Sequence, residues 1–205
     1  MTLLLKTAGP PGGRAAAAAW PGRSVLPGCD VWRDNRERGL ARWDIGPQGR
    51  SGVWLPAAPG RAAVDHAGRR PPPDALRGMR VLLVDDSPET LEAFRLLLEI
   101  EGAHVQVANG GAAALTLTER EGFDLILSDI GMPGMDGYEL IAQLRARPST
   151  QATPAFALSG FGDRAGIERA LRAGFQAYID KPVTLDDLLH ALVGTAVPLG
   201  RQRET

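Results

Sequence analysis

Three aspartates follow short apolar runs of this 205-residue chain. Asp85 and Asp86 come directly after the run Val81–Val84, and Asp129 closes the stretch that begins with Leu125–Leu127. Carboxylates that meet at one place repel each other, so they need a cation. A ligand set made only of oxygen atoms suits Mg²⁺. The sequence therefore predicts a magnesium site wherever folding brings these aspartates together.

A serine and a lysine have the same kind of placement. Ser159 ends an apolar run over residues 154–158, and Lys181 follows the short segment 177–180, which is apolar up to Asp180. A lysine offers a point charge to a phosphate oxygen, and a serine offers a hydroxyl. An aspartate carboxylate is a known nucleophile toward phosphoryl groups. With Mg²⁺, these residue types predict an aspartyl-phosphate site.

The elements that would position these side chains alternate strand and helix five times. This pattern predicts an α/β fold of the flavodoxin-like (βα)5 type, a doubly wound parallel sheet in the order 2-1-3-4-5. In that order the carboxyl ends of strands one, three, four and five converge, which brings the candidate side chains to one crevice. The predicted strands cover residues 80–84, 104–108, 123–130, 154–159 and 177–180, and the helices begin near Ser87, Gly111, Asp136, Arg164 and Thr184.

Four motifs occur in a distinctive order and spacing. They are Val84-Asp85-Asp86, Ser128-Asp129-Ile130-Gly131-Met132-Pro133-Gly134-Met135-Asp136-Gly137, Leu158-Ser159-Gly160 and Asp180-Lys181-Pro182. Through them, residues 79–195 resemble a two-component response-regulator receiver domain of the CheY-like kind. The resemblance implies a phosphoprotein of phosphorelay signal transduction.

The resemblance also implies a role for each site residue. Asp129 would be the phosphoacceptor. Asp85, Asp86 and Asp129 would hold Mg²⁺, with the backbone carbonyl of Gly131 as a further ligand. Lys181 would bind the phosphoryl group, and its peptide bond to the following proline would be cis.

Ser159 and Tyr178 match the switch pair of the same family. The resemblance implies that the Ser159 hydroxyl moves toward the phosphoryl group while the Tyr178 ring turns inward. The implied partner is a histidine kinase or a histidine phosphotransfer protein, and the downstream partner is unknown. No enzyme activity is expected beyond self-phosphorylation and self-dephosphorylation.

Two other functions stay open. The chain could be a degenerate receiver that serves as a constitutive protein-interaction module, although the complete set of site residues argues against this. It could also be an aspartyl-phosphate hydrolase of the haloacid-dehalogenase type. Those enzymes resemble this site but carry a second aspartate two residues after the nucleophile, where this chain has Gly131.

Residues 1–78 differ from the rest in composition. They are rich in Pro, Gly, Ala and Arg and show no sustained period, which predicts a mostly disordered extension before a receiver domain at 79–196 and a tail at 197–205. A short strand is possible at Gly52–Pro56. The segment could instead be a start-site or frame artefact, or a remnant of an upstream kinase domain, because residues 49–56 faintly resemble the last strand of a histidine-kinase ATP-binding domain.

Charge divides the chain in the same place. Residues 1–79 carry 12 Arg or Lys against 6 Asp or Glu, and residues 80–205 carry 11 against 18. The arginines of the first part are scattered among prolines, so an arm that binds nucleic acid is not expected. Cys29 is the only cysteine, and no apolar run is long enough to span a bilayer. The sequence predicts a cytoplasmic protein without a membrane partner, with a stand-alone receiver or a hybrid histidine kinase as its parent.

Overall fold

The structure is a computed structural model that describes residues 31–35, 40–45, 51–56, 74–160 and 163–194. The predicted tail at 197–205 and most of the predicted N-terminal extension lie outside the described residues. Within the described ranges the strands form a sheet of eight, with helices on both of its faces. No helix among these residues is both long and apolar enough to cross a membrane.

Five parallel strands form the part of the sheet that the sequence predicts. They are β4 Arg80–Asp85, β5 His104–Asn109, β6 Leu125–Asp129, β7 Ala155–Ser159 and β8 Ala177–Asp180. Their spatial order is β5-β4-β6-β7-β8, which confirms the predicted order 2-1-3-4-5. Strands β6 and β7 are buried throughout, as expected for parallel strands that are covered on both faces.

Five helices follow the receiver strands, and two of them begin at capping residues that the sequence marks. The helices are α1 Pro88–Ile100, α2 Gly111–Arg120, α3 Gly137–Arg145, α4 Arg164–Ala173 and α5 Leu185–Gly194. Ser87 accepts a hydrogen bond from the Thr90 N–H at the start of α1, and Thr184 and Asp187 cap each other's backbone N–H groups at the start of α5. Helix α4 begins at the predicted Arg164.

Each face of the sheet has its own apolar cluster. Helices α1 and α5 cover one face, where Leu98 and Leu188 pack on strand residues such as Leu83. Helices α2, α3 and α4 cover the other face, where Leu140 and Ile167 pack on the remaining strand residues. Successive strand residues point to opposite faces, so neighbours on one strand belong to different clusters.

Three strands from the N-terminal segment extend the sheet beyond β8. They are β1 Val31–Asn35, β2 Leu40–Ile45 and β3 Ser51–Pro56, and they pair antiparallel with their neighbours. Strand β3 matches the strand predicted at Gly52–Pro56. Strands β1 and β2 are not among the elements that the sequence predicts, and they find their backbone partners in each other and in β3.

The turn at residues 74–78 also packs on the sheet. Leu76 and Met79 are buried in the cluster of the α1 and α5 face. The Leu76 N–H donates to the Glu101 carbonyl at 3.1 Å, and the Gly78 N–H donates to the Gly102 carbonyl at 2.9 Å. Residues 74–78, which precede the predicted boundary at 79, are therefore packed on the same sheet.

Candidate functional site

The carboxyl ends of strands β4, β6 and β8 meet, which brings Asp85, Asp129 and Lys181 into direct contact. The Lys181 Nζ donates to Asp85 Oδ2 at 3.0 Å and to Asp129 Oδ1 at 2.5 Å. Asp85 is 3% exposed and Asp129 is 8% exposed, so both carboxylates are buried. The ammonium group therefore neutralises two aspartates from neighbouring strands at the edge where ligands bind in this kind of sheet.

The surroundings of Lys181 keep it charged. Burial opposes the charge, but hydrogen bonds to Asp129 and Asp85, together with their negative charges, outweigh it and raise the pKa of the ammonium above its ordinary value. The Lys181 N–H also donates to the Ser159 carbonyl at 2.8 Å. The peptide bond to Pro182 is cis, as the resemblance implies.

Asp86 and Gly131, the other two predicted magnesium ligands, are both exposed. Asp86 follows β4 and is exposed. Gly131 is exposed as well, and a Cβ built on it would lie 3.5 Å from Asp129 Oδ2. Among the described residues, no three His, Cys, Asp or Glu side chains form a group that could hold a metal. The structure gathers two of the three predicted carboxylates, with Lys181 between them.

The donor chemistry fits Mg²⁺ nevertheless. Asp85 and Asp129 are two carboxylates that share one cation, and Mg²⁺ is commonly held by one or two carboxylates with water and phosphate oxygens completing its shell. Asp85 is further oriented by the Ser87 N–H, which donates to its Oδ1 at 2.9 Å. Asp86 directly follows Asp85 in the chain and is exposed, and the structure does not gather it with this pair.

Ser159 and Tyr178, the predicted switch pair, are in contact. Ser159 ends β7, and Tyr178 lies in β8 with none of its surface exposed. Burial raises the pKa of Tyr178 to about 12, while a hydrogen bond with Ser159 acts in the opposite direction. The ring is therefore inside the α4 face of the sheet, with its hydroxyl near the end of β7.

Close packing behind Asp129 fixes the loop that follows it. The N–H of Gly137 donates to the Ile130 carbonyl at 3.0 Å. A Cβ on Gly137 would lie 2.5 Å from the Asp129 carbonyl oxygen and 2.8 Å from the Ile130 Cα. Only glycine allows α3 to begin this close to the backbone of Asp129.

Trp54 is a neighbour of the site that the sequence pattern does not identify. It lies opposite Tyr178 in the pairing of β3 with β8. Its indole N–H donates to Asp180 Oδ2 at 3.4 Å, one residue before Lys181. Only the possible strand at Gly52–Pro56 hints at this contact, because nothing in that segment specifies which strand it would pair with.

Relatives of known sequence contain the same domain. An uncharacterized 14.6 kDa protein of Leptolyngbya boryana is 45% identical over 108 residues, which are 53% of this chain and 82% of that protein. The sensor histidine kinase AruS of Pseudomonas aeruginosa is 38% identical over 136 residues, which are 64% of this chain but 14% of AruS. The chain thus spans a small part of the sensor kinases that it matches.

A solved structure shows the same fold. It is the receiver domain of the sensor histidine kinase PA1611 from Pseudomonas aeruginosa, crystallised with a magnesium ion coordinated in its active-site cleft. It is 28% identical and superimposes with a TM-score of 0.54 over 58% of this chain and 98% of that domain. The sequence model of the response regulator receiver domain matches residues 81–193, more than half of the chain. The chain therefore belongs to the response regulator receiver domain family.

Proposed function

We propose that the chain is a phosphorylation-controlled signalling switch, in which Asp129 accepts a phosphoryl group from a histidine kinase or a histidine phosphotransfer protein. The observation that carries the proposal is the bridge that Lys181 makes between the buried carboxylates of Asp85 and Asp129. A nucleophilic carboxylate beside a fixed cation is what phosphoryl transfer to an aspartate requires.

The transfer follows from these positions. A carboxylate oxygen of Asp129 forms a bond to phosphorus while the P–N bond of the donor phosphohistidine breaks. The imidazole leaves with the electron pair of that bond and takes up a proton, and Asp129 becomes an acyl phosphate. Lys181, already within hydrogen-bond distance of Asp129, binds an oxygen of the phosphoryl group.

Magnesium completes the proposed site. Asp85, Asp86 and Asp129 would hold it with the carbonyl of Gly131, as the oxygen donors and the magnesium-bound relative support. When bound, Mg²⁺ neutralises charge on the phosphoryl oxygens. Lys181 would then contribute its charge to the phosphoryl group rather than to both aspartates.

Ser159 and Tyr178 are the proposed route from the site to a binding surface. The phosphoryl group adds about two negative charges and three acceptor oxygens, so it attracts the Ser159 hydroxyl. Tyr178, which is hydrogen-bonded to Ser159 and buried against the α4 face, responds to that movement. The downstream partner would bind the surface that changes, as expected for a local electrostatic switch with a distant effect.

The proposed origin is a hybrid histidine kinase. The match to AruS covers 64% of this chain, which is a larger share than the family match at residues 81–193 covers. This supports a relation that reaches beyond the receiver itself, in line with the faint resemblance of residues 49–56 to a kinase strand. A cytoplasmic location stays a prediction from the sequence.

Intact mass after incubation with acetyl phosphate and Mg²⁺ tests the function. We expect the wild type to gain one phosphoryl group only when Mg²⁺ is present, and Asp129→Asn to gain none. Asp136→Asn is the matched control, because Asp136 caps α3 and an asparagine caps a helix equally well. No gain in the wild type would refute the switch and favour a constitutive interaction module.

A further inference from the structure

Strand β3 occupies the edge of the receiver sheet beside the switch residues. It runs antiparallel to β8, and the pairing consists of Val53 with Ile179 and Trp54 with Tyr178. The parallel strands of the receiver end at β8, so β3 provides the backbone neighbour that this strand would otherwise lack. The short pairing suits a segment that can dock and undock.

One face of β3 is anchored in the core. Val53 is 0% exposed and Leu55 is 2% exposed, and both belong to the cluster that contains Ile179 and Leu188. Residues two apart on a strand share a face, so these two aliphatic side chains point together toward α5. The attachment of β3 therefore includes buried apolar packing as well as backbone pairing.

On the opposite face of β3, Trp54 lies beside the switch residue Tyr178. Trp54 is half-buried and packs on the cluster that contains Tyr178 and Ile167 of α4. Its indole N–H donates to Asp180 Oδ2. Trp54 thus contacts β8 on both sides of Ile179, at Tyr178, which is hydrogen-bonded to Ser159, and at Asp180, which precedes Lys181.

The position of Trp54 restricts where the Tyr178 ring can go. Paired residues of antiparallel strands lie on the same face, with Cβ atoms about 5 Å apart. An outward swing of the Tyr178 ring toward the sheet edge would enter the space that Trp54 occupies. With β3 docked, the buried position of the ring, which keeps its hydroxyl near Ser159, is the one that fits.

We propose that β3 is an intramolecular effector of the receiver: its docking holds Tyr178 inward through Trp54 and thereby favours the phosphorylated form of the domain. This inference rests on the proposed phosphorylation switch at Asp129. Because linkage is reciprocal, phosphorylation must in turn tighten the docking of β3 by the same factor. Trp54 is a positioning residue, since it acts through Tyr178 and Asp180 and does not touch the phosphoryl group.

Hydrogen exchange on the full chain tests the first half of this coupling. Peptides that cover residues 51–56 are followed by mass spectrometry with Mg²⁺, in the presence and absence of acetyl phosphate, while intact mass records phosphorylation in the same samples. We expect exchange of these amides to slow about fivefold or more when Asp129 is phosphorylated, which is the lower end of typical coupling between sites. Asp129→Asn should show no slowing.

Equilibrium binding tests the reciprocal half. Beryllofluoride with Mg²⁺ is a phosphoryl analogue that does not transfer, so its affinity reports the switched state directly. We expect Trp54→Ala to weaken beryllofluoride binding about fivefold, by the same coupling. Leu97→Ala, which truncates a partly exposed apolar side chain on α1, is the control and should leave the affinity unchanged.

A double-mutant cycle separates positioning from general loosening of the fold. If Trp54 acts through Tyr178, the effect of Trp54→Ala on beryllofluoride affinity should disappear in a Tyr178→Ala background. Should Trp54→Ala fail to fold, Trp54→Phe takes its place. It keeps a ring beside Tyr178 but loses the N–H donor to Asp180, and we expect it to keep most of the slowing seen in the wild type.

The outcomes distinguish the two proposals. A wild type that gains no phosphoryl group refutes the phosphorylation switch itself. A wild type that is phosphorylated while residues 51–56 exchange at an unchanged or faster rate overturns the role of β3. An equal loss of affinity for Trp54→Ala in the wild-type and Tyr178→Ala backgrounds would also overturn it.

Discussion

Lys181 is the residue on which the charge balance of the crevice depends. Two buried carboxylates from neighbouring strands repel each other, and desolvation makes each of them costly. The ammonium group, which lies within hydrogen-bond distance of both, offsets these costs and is itself 29% exposed. The crevice therefore contains a cation before any phosphoryl group arrives.

Removing this cation should reveal the repulsion. We expect Lys181→Met to lower the free energy of unfolding by about 1–2 kcal/mol at neutral pH, less than for a fully buried pair because Lys181 is partly exposed. Added Mg²⁺ should recover more stability in this variant than in the wild type. Urea unfolding with and without Mg²⁺ measures both effects.

Arg172→Met provides the comparison for Lys181→Met. Arg172 makes an exposed ion pair with Glu168, so its loss should change stability by less than about 0.5 kcal/mol. If Lys181→Met were equally neutral without Mg²⁺, the two aspartates would not depend on the lysine for their charge balance.

Because of Tyr178, the folded state should be less stable at alkaline pH. Burial raises its pKa to about 12 from an ordinary value of 10.0, so the folded state retains a proton that the unfolded state has lost in this range. The free energy of unfolding should therefore fall as the pH rises from about 10 to about 12, because the stabilisation is fully present only below the unfolded pKa.

Tyrosinate absorbance can resolve this titration, because Tyr138 is the only other tyrosine. Burial raises the pKa of Tyr138 as well, so both rings should ionise later than free tyrosine. In Tyr138→Phe the remaining signal should report a pKa near 12, and in Tyr178→Phe that late component should be absent. An ordinary midpoint in Tyr138→Phe would contradict the buried position of the Tyr178 ring.

At the scale of the elements, the start of α3 determines how firmly the loop after β6 is held. The helix begins at Gly137, almost in contact with the backbone of Asp129, and Asp136 caps it by accepting from the Glu139 N–H at 2.8 Å. A change at this point should be transmitted directly to Asp129, the proposed phosphoacceptor, because Gly137 packs against its backbone.

Gly137→Ala should therefore destabilise the protein although alanine is the better helix former. The added methyl would overlap the Asp129 carbonyl, and we expect a loss of about 1–3 kcal/mol in the free energy of unfolding. Gly131→Ala, whose methyl would reach ordinary contact distance, should change stability by less than about 0.5 kcal/mol. Thermal unfolding of the two variants side by side measures the difference.

The sequence predicts the receiver elements well for identifiable reasons. Ser87 and Thr184 cap their helices through local hydrogen bonds, and parallel strands must be apolar on both faces, so these signals are independent of distant contacts. The ends of strands are predicted less accurately than their centres. Strand β6 begins at Leu125 rather than at residue 123, and just before it the Asp124 side chain accepts a hydrogen bond from the Arg80 N–H.

The site is predicted less completely than the fold. The strand order brings Asp85, Asp129 and Lys181 together, but it does not specify that the lysine bridges both aspartates in this structure. The sequence does not predict the role of Trp54, for a different reason. Its role depends on pairing with Tyr178, more than a hundred residues away, and no local pattern encodes that partner.

At the scale of the whole molecule, Arg145 joins three separate segments. Its guanidinium donates to the carbonyls of Thr150 and Thr153 in the loop after α3. It also donates to the Gly174 carbonyl and to the Gln176 Oε1, between α4 and β8. Partial burial lowers the pKa of the Arg145 guanidinium, because it opposes the charged form.

Arg145→Lys should not replace this network. A single ammonium cannot reach acceptors on several sides as a planar guanidinium does, so we expect a loss of about 1–3 kcal/mol in the free energy of unfolding. Arg147→Lys is the matched control, since Arg147 makes one hydrogen bond to a carbonyl at 3.3 Å and a partly exposed ion pair with Glu119. Urea denaturation of both variants would show whether the number of acceptors decides the loss.

The pairing of β3 with β8 affects which fragments of the chain should be stable on their own. A fragment of residues 74–196 keeps every receiver strand and the buried Leu76, yet it exposes Ile179 and Leu188 and leaves the outer backbone of β8 bare. Bare strand edges recruit one another, so this fragment should dimerise or precipitate as its concentration rises, whereas a fragment of residues 31–196 should stay monodisperse in sedimentation velocity runs. We therefore expect a fragment that stays monodisperse to begin well before residue 81, where the family match begins.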